Sequence, residues 1–175
     1  LGPVSAVINN ASIFEEDTVE TATKHSWDSH MAINLRAPFL LTQGLAENRP
    51  KNEKANIINI VDQRVKNLTP YFSSYTLSKS ALWTLTQTSA AALAPDIRVN
   101  AIGPGPTLPS IRQSQEQFDR QVALTPLQAQ VDPEEICQAV RFILATPSMT
   151  GQLLALDSGQ HLGWAQPGQP SQPDE

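Results

Sequence analysis

Four short apolar segments alternate along this chain with longer stretches of helical pattern. The segments span residues 4–9, 55–61, 97–102 and 152–156 and read VSAVIN, ANIINIV, IRVNAI and QLLAL. They are apolar at nearly every position, which is typical of strands buried on both faces of a parallel sheet. Because a helical stretch separates successive segments, the pattern predicts an α/β fold with a parallel sheet.

The helical stretches have recognisable ends. One is predicted from Ser26 to about Glu47, and a second runs over residues 74–93 and ends before Pro95. The last begins after Asp132, a good N-cap residue, with proline at its first position and two glutamates in its first turn. Its apolar residues recur at helical spacing. Cys137 borders that stripe, so it is predicted to be a core thiol and not a catalytic one.

Composition limits the possible partners. The chain has 175 residues, 40% of them hydrophobic and 17% charged, which suits about one domain with a real core. The net charge is −5 and the basic residues are scattered, which argues against a nucleic acid or an anionic membrane surface as partner. We therefore expect a small-molecule partner. The single cysteine cannot form an internal disulfide, and no apolar run approaches the ~20 residues of a membrane span, so a reducing cytoplasm is expected.

A tyrosine and a lysine lie four residues apart at the start of the second helical stretch. On a helix Tyr75 and Lys79 share one face. A nearby ammonium favours the phenolate, so we expect the pKa of Tyr75 to be lowered from about 10 toward the neutral range used in proton transfer. This spacing also arises by chance, and an ordinary surface pair would look the same.

Polar residues follow two of the predicted strands, at the edge where open α/β sheets bind ligands. The first group is Asn9-Asn10-Ala11-Ser12, and the second is the NAIGPGPT stretch at residues 100–107. An Asn-rich turn and a simple loop are the structural alternatives. Asn34 is a polar residue among apolar helix neighbours, for which a structural amide is the default interpretation.

Taken together, these motifs resemble the short-chain dehydrogenase/reductase family in order and spacing. The resemblance extends from the Asn-Asn-Ala group through Tyr75-x-x-x-Lys79 to MTGQLLALDSG, close to Trp164. It implies a nicotinamide-dependent oxidoreductase on a Rossmann-type, doubly wound parallel sheet. By resemblance, Tyr75 protonates the substrate, Lys79 holds the nicotinamide ribose and tunes the tyrosine, and Asn34 supports a proton-relay water.

The resemblance covers a partial domain at residues 1–164. The Pro/Gln-rich composition of residues 165–175 predicts a disordered tail, and no metal site is expected. The family's glycine-rich phosphate loop lies upstream of the Asn-Asn-Ala motif, so this chain is expected to be the C-terminal part of a longer protein and to bind a dinucleotide weakly by itself. Ser158 stands where the family usually has the second glycine of DGG. The cofactor-binding residues implied are Asn10, Ala11, Ser12, Tyr75, Lys79, Pro104, Gly105 and Thr107.

Asp62 is the main departure from the family pattern, because the family places a serine thirteen residues before the tyrosine. A serine hydroxyl donates a hydrogen bond to a developing alkoxide, whereas an ionised carboxylate can only accept and repels that charge. Reduction of a C=N bond needs a proton at nitrogen, for which a carboxyl beside a tyrosine is a suitable relay. A degenerate or structural aspartate is the alternative.

The segments NIINIVDQ, NNASIF and GPGPT resemble the pteridine reductase and dihydromonapterin reductase branch of the family, where aspartate replaces the serine. That branch implies NADPH as cofactor and a dihydropterin as substrate. Ser12, Phe14, Asp62 and Tyr75 would contact the pterin, with Phe14 stacked on its ring. A core-packing role for Phe14 stays open.

Two other functions also stay open. One is a general short-chain carbonyl reductase, and the other is a non-catalytic Rossmann binding module. Residues 106–131, rich in Gln and Ser, are expected to form a lid over the substrate. By resemblance, the full-length protein is expected to be a dimer or tetramer assembled through its two long helices.

Overall fold

The computed structural model describes residues 2–163, and four parallel strands form its sheet. Their order across the sheet is the order in which they occur along the chain. All four lie where the apolar segments predicted them, which confirms the α/β class. The strands are β1 (Ala6–Asn9), β2 (Ala55–Ile60), β3 (Ile97–Pro104) and β4 (Leu153–Leu156).

Over residues 2–163, five α-helices connect the strands, and four of them lie on the three predicted helical stretches. They are α1 (Lys24–Met31), α2 (Ala37–Asn48), α3 (Ser73–Leu93), α4 (Gln115–Ala123) and α5 (Pro133–Ala145). A π-helical turn, Ala32–Arg36, joins α1 to α2, so the first predicted helix is continuous but locally widened. Short 3₁₀ turns occur at Gln63–Val65 and Gln160–Leu162.

Helices cover both faces of the sheet. Ile57 of β2 packs on one face with Leu45 of α2 and Ala90 of α3. Its neighbour Ile58 points to the opposite face and packs with Ile143 of α5. This alternation confirms the doubly wound arrangement, and it explains why β2 is apolar at nearly every position.

Two expectations about burial differ from the structure. Cys137 is exposed, so the prediction of a core thiol is wrong. At about 100° per residue it lies roughly 200° around α5 from the buried Ala139, on the side away from the sheet. Ile8 of β1 is 44% exposed, because β1 pairs only with β2 in the part of the chain that the structure describes. The predicted tail and Trp164 lie outside that part.

Buried amides tie the carboxyl end of β1 to its neighbours. The Nδ2 of Asn9 donates to the Oδ1 of Asn59 at 2.7 Å, and the Nδ2 of Asn59 donates to the hydroxyl of Thr86 at 2.9 Å. These bonds link β1, β2 and α3, and they hold the strand ends in register at the edge where the candidate site lies.

Candidate active site

The carboxyl ends of the strands open on a cavity of about 190 Å³. Parallel strands place all their carboxyl ends at one edge, so residues distant in sequence meet there. Six of the residues singled out in the sequence line this one cavity. They are Phe14, Asp62, Tyr75, Pro104, Gly105 and Thr107.

Asp62 and Tyr75 are in direct contact. The Tyr75 hydroxyl donates to the Oδ2 of Asp62 at 2.8 Å. The other carboxylate oxygen, Oδ1, accepts from the backbone N–H of Arg64 at 2.7 Å and so caps the 3₁₀ turn that begins at Gln63. The carboxylate is therefore fixed by local backbone geometry, with one oxygen presented to the tyrosine.

The pKa of Tyr75 moves in the opposite direction from the one expected. Burial, with a smaller contribution from the negative charge of Asp62, raises the pKa of Tyr75 well above its usual value of 10. The positive charge of Arg64 opposes this shift but does not reverse it. The expectation of a lowered pKa is wrong because desolvation outweighs the positive charge of Arg64, and Tyr75 is a protonated phenol in this site.

Lys79 lies beneath the tyrosine with only 3% of its surface exposed. Its Nζ donates to the carbonyl of Ile60 at 2.8 Å and lies 5.7 Å from the centre of the Tyr75 ring. Burial lowers the pKa of Lys79 to about 8, and the charge of Asp62 opposes this fall. An ammonium has three donors, and within residues 2–163 no other acceptor is bonded to this one. The remaining donors suit a dihydroxylated group such as a ribose.

Asn34 occupies the π-helical turn and is fully buried. Its Oδ1 accepts from the backbone N–H of Ile13 and from the hydroxyl of Ser12, at 2.9 and 3.1 Å. Its Nδ2 donates to the carbonyl of Ile13 and to the hydroxyl of Ser78, each at 3.0 Å. The amide thus fastens the loop after β1 to the helix that contains Tyr75. Its expected support of a relay water stays a prediction.

The other residues expected to bind cofactor fall into two groups. Asn10, Ala11 and Ser12 are exposed just beyond the carboxyl end of β1. Gly105 lies tight against the backbone of Asp157, which a Cβ at Gly105 would approach to 2.6 Å. Glycine is therefore required there by packing, whatever the loop binds.

Phe14 is part of an aromatic cluster that the sequence did not predict. Its ring stacks on Phe72 with centroids 4.4 Å apart, and it meets Tyr75 edge-on at 4.7 Å. Phe72 is 1% exposed and precedes α3 with a φ of 56°, a left-handed conformation that is unusual outside glycine. Phe72 lies three residues before Tyr75, but a stack with Phe14 depends on the tertiary fold.

Asp17 is a second residue that sequence reasoning missed. Its Oδ1 accepts from the backbone N–H of Ser74 at 2.9 Å and its carbonyl accepts from that of Ser73 at 3.0 Å, so it caps α3 from a distant part of the chain. Burial raises the pKa of Asp17, but hydrogen bonds from Ser74 and Ser26 outweigh this and the net shift is downward. No local capping residue is present, because Phe72 occupies the N-cap position.

His30 supports the same loop from α1. It is fully buried, with Nδ1 bonded to the carbonyl of Ser26 at 2.7 Å and Nε2 accepting from the backbone N–H of Glu15 at 3.2 Å. A neutral imidazole with its proton on Nδ1 satisfies both bonds. Its ring centre is 6.2 Å from that of Tyr75. His30 therefore positions the Phe14 loop without lining the cavity.

The segment expected to form a lid contains α4, which the sequence reasoning did not predict. The capping box formed by Ser114 and Gln117 was the available signal. Phe118 of α4 is 1% exposed, so the segment has its own packed anchor. Before α4 in the same segment, Arg112 forms an ion pair with Glu15 and donates to the carbonyl of Phe14. The lid segment and the Phe14 loop are thus joined across the mouth of the cavity.

A comparison with known protein families agrees with this geometry. The agreement extends to the strand order, the paired tyrosine and lysine, and the edge of the sheet on which the cavity opens. Residues 1–161 match the protein-family profile described as "Enoyl-(Acyl carrier protein) reductase". The chain belongs to the short-chain dehydrogenase/reductase family. Over residues 2–163 this family member has no helix both long and apolar enough to cross a bilayer.

Several members of the family are similar to this chain. The crystal structure of FolM alternative dihydrofolate reductase 1 from Brucella suis, in complex with NADP, is 50% identical, with a TM-score of 0.93 over 95% of this chain and 67% of that one. Dihydromonapterin reductase from an Enterobacter species is 30% identical over 161 residues, covering 90% of this chain and 66% of the relative. The 3-oxoacyl-[acyl-carrier-protein] reductase FabG from Thermotoga maritima is 29% identical over 163 residues. The chain spans about two thirds of the length of these relatives.

Proposed function

We propose that the natural full-length protein containing this chain is an NADPH-dependent reductase that adds hydride to a C=N bond of a dihydropterin. The observation that supports this most is the contact between Asp62 and Tyr75, 2.8 Å apart in the cavity at the carboxyl edge of the sheet. Two relatives whose names specify dihydrofolate or dihydromonapterin reduction are 50% and 30% identical to the chain.

The geometry suits protonation of nitrogen better than stabilisation of an alkoxide. Reduction of C=N adds one hydride at carbon and one proton at nitrogen, giving C–H and N–H. The Tyr75 hydroxyl is protonated because its pKa is raised by burial, and it is bonded to a carboxylate that can receive a proton from the open cavity. Tyr75 donates at its Oη, and Asp62 replaces that proton through its Oδ2. An anionic oxygen at the same position would be repelled by the carboxylate.

The residues present fit a nicotinamide cofactor. When bound, the cofactor supplies the hydride. Lys79 would hold its ribose through the ammonium donors that the carbonyl of Ile60 does not use. The loops at residues 10–12 and 104–107 would face its nicotinamide half, at the carboxyl ends of β1 and β3. We propose NADP(H) over NAD(H), since the Brucella suis protein is in complex with NADP.

The direct test compares the wild type and three variants on two substrates. In the natural full-length protein, Asp62→Asn keeps the shape of the side chain but removes its titrating group, so kcat/KM for a dihydropterin should fall on the order of 10²-fold or more. Asp62→Ser restores a hydroxyl donor, so activity on a diketone should rise while dihydropterin reduction falls. Asp28→Asn, at a surface ion pair with Lys24, is the matched control and should leave both activities unchanged.

The outcomes separate the competing functions. Unchanged dihydropterin turnover in a folded Asp62→Asn variant would show that the aspartate is a bystander. A wild-type protein that reduces diketones and not dihydropterins would identify a general carbonyl reductase. A wild-type protein that binds NADPH but turns over neither substrate would identify a binding module. Thermal unfolding of each variant checks that a loss of activity is not a loss of fold.

We further propose that the full-length protein is a cytoplasmic homo-oligomer. Large apolar side chains on α2 and α3 are exposed in the single chain, among them Phe39 at 44%, Leu41 at 53% and Leu77 at 49%. Faces of this kind are commonly covered by a second subunit. Light scattering of the purified protein measures its mass, and a monomer at micromolar concentration would contradict the proposal.

A further inference from the structure

Arg64 is a buried cation inside the candidate active site. Only 2% of its surface is exposed, and it lines the cavity beside Asp62. Burying a guanidinium is costly unless its surroundings compensate, and an apolar side chain could fill the same space without that cost. The position therefore calls for an explanation in terms of what the charge contacts.

Three aromatic rings surround the guanidinium. Its central carbon is 5.1 Å from the centre of the Phe14 ring, 4.9 Å from that of Phe72 and 5.8 Å from that of Tyr75. All three distances are within the range in which a cation is attracted to an aromatic ring, and the attraction is stronger away from water. Phe72 and Tyr75 belong to the start of α3 and Phe14 to the loop after β1, so Arg64 contacts rings from two distant parts of the chain.

The position of Arg64 relative to the stack is informative. Phe14 and Phe72 are nearly parallel, with an angle of 8° between their planes and 4.4 Å between their centres. The guanidinium carbon is almost equally far from both centres, so Arg64 is in contact with the two rings together and does not lie between them. Phe14 is the ring of this pair that lines the cavity, whereas Phe72 is 1% exposed, so a charge that holds the pair together also holds the ring that a ligand can reach.

We propose that Arg64 is a positioning residue that fixes the Phe14–Phe72 stack against Tyr75 and so orients the aromatic face on which the heterocyclic substrate lies. The inference rests on the proposed function, because it takes Phe14, which lines the cavity, as the ring on which a dihydropterin stacks. The backbone of Arg64 is itself fixed, since its N–H donates to the Oδ1 of Asp62. The 3₁₀ turn that begins at Gln63 thus fixes both the carboxylate of Asp62 and the guanidinium that contacts the Phe14–Phe72 pair.

The test is kinetic and uses the natural full-length protein. Arg64→Met keeps the length of the side chain but removes its charge, and it should raise the KM for a dihydropterin about 10-fold or more while the KM for NADPH stays within about twofold. Arg64→Lys keeps a cation near the rings and should recover part of that loss. Arg98→Met is the matched control, because Arg98 binds the carbonyls of Met149 and Ile143 away from the cavity. It should leave the KM for the dihydropterin unchanged.

A double-mutant cycle with Phe72→Leu tests the mechanism. If Arg64 acts through the stack, the effect of Arg64→Met on KM should shrink to about threefold or less once Phe72 is absent. A full effect in the Phe72→Leu background would overturn the proposal, as would an unchanged KM in Arg64→Met.

A second measurement keeps this inference separate from the proposed function. Hydrogen exchange at residues 13–17 needs no substrate, and Arg64→Met should accelerate it because the Phe14 ring loses its anchor. A wild-type protein without dihydropterin turnover would refute the proposed function. The hydrogen-exchange data would then still test whether Arg64 positions the Phe14 loop. Unchanged exchange at residues 13–17 in Arg64→Met would refute the positioning role.

Discussion

Replacing Lys79 by methionine should stabilise the folded protein at neutral pH while impairing catalysis. The lysine is 3% exposed, and burial lowers its pKa to about 8. Methionine has a similar length and no charge, so Lys79→Met removes the cost of holding an ammonium in a nearly dry site. It also removes the donor to the carbonyl of Ile60 and the proposed ribose ligand.

The size of the effect follows from the lowered pKa. A fall from 10.5 to about 8 corresponds to about 3 kcal/mol, at ~1.4 kcal/mol per pKa unit. Below pH 8 the lysine is charged in both states, and the folded state has the full cost of burial. Between pH 8 and 10.5 the unfolded state binds the proton more strongly, so wild-type stability rises with pH. Loss of the hydrogen bond to Ile60 costs about 1 kcal/mol. Lys79→Met should therefore gain about 2 kcal/mol at pH 7 and lose about 1 kcal/mol near pH 10.5.

Urea unfolding of the natural full-length protein at the two pH values measures this difference. Comparing the variant with the wild type cancels the titration of all groups that the two proteins share. Lys51→Met, at an exposed position, is the control and should change stability by less than about 0.5 kcal/mol at either pH. A variant less stable than the wild type at pH 7, or a difference that does not change with pH, would refute the burial argument. Dihydropterin turnover should fall at least about 10²-fold.

Three further predictions concern the elements around the cavity. Asp17→Asn should cost about 1 kcal/mol of stability at pH 7, because the amide can still accept from the N–H of Ser74 but lacks the charge that strengthens the bonds from Ser74 and Ser26. Since the pKa of Asp17 is lowered from 3.8, this advantage of the wild type should disappear in urea unfolding as the pH falls below 3.8. Ser158→Gly should relieve a left-handed conformation (φ of 53°) but lose the 2.5 Å bond from its hydroxyl to the carbonyl of Ala129. The two effects oppose each other, so the melting temperature of the variant should stay within about 4 °C of the wild type. Amide hydrogen exchange at residues 127–131 should accelerate, and slower exchange there would contradict the prediction. Without ligand, the backbone amides of residues 106–131 should exchange hydrogen faster than those of β3 and β4. Arg112→Met should increase this difference by releasing the contact with Glu15. Equal protection of residues 106–131 and the strands would count against a lid.

The secondary structure could be predicted because its signals are local. The apolar runs of β2 and β3, and the capping signals of α5, belong to segments that must be buried or capped wherever they pack. The helix α4 was missed although its capping box is also local, because a Gln- and Ser-rich composition indicated a loop. Cys137 was misplaced for a related reason. A residue bordering an apolar stripe lies near the limit of the buried face, and only the packing of α5 on the sheet decides its side.

The candidate site divides in the same way. Tyr75 and Lys79 are one helical turn apart, and Asp62 lies two residues beyond the end of β2, so their proximity follows from short-range geometry and the sheet edge. The aromatic stack of Phe14 on Phe72, and the cap that Asp17 provides to α3, join segments more than fifty residues apart. No spacing rule connects such positions, so these contacts could be found only in the folded chain.

By itself the sequence determined the strand–helix alternation, the edge at which the candidate site forms and the residues proposed for proton transfer. The tertiary structure decided how those groups behave. Spacing predicted that Lys79 would lower the pKa of Tyr75, yet burial raises the pKa of Tyr75 and lowers that of Lys79. Desolvation depends on every atom packed around a group, and those atoms come from β2, α3 and the loop of Phe14 together, so no local pattern contains it.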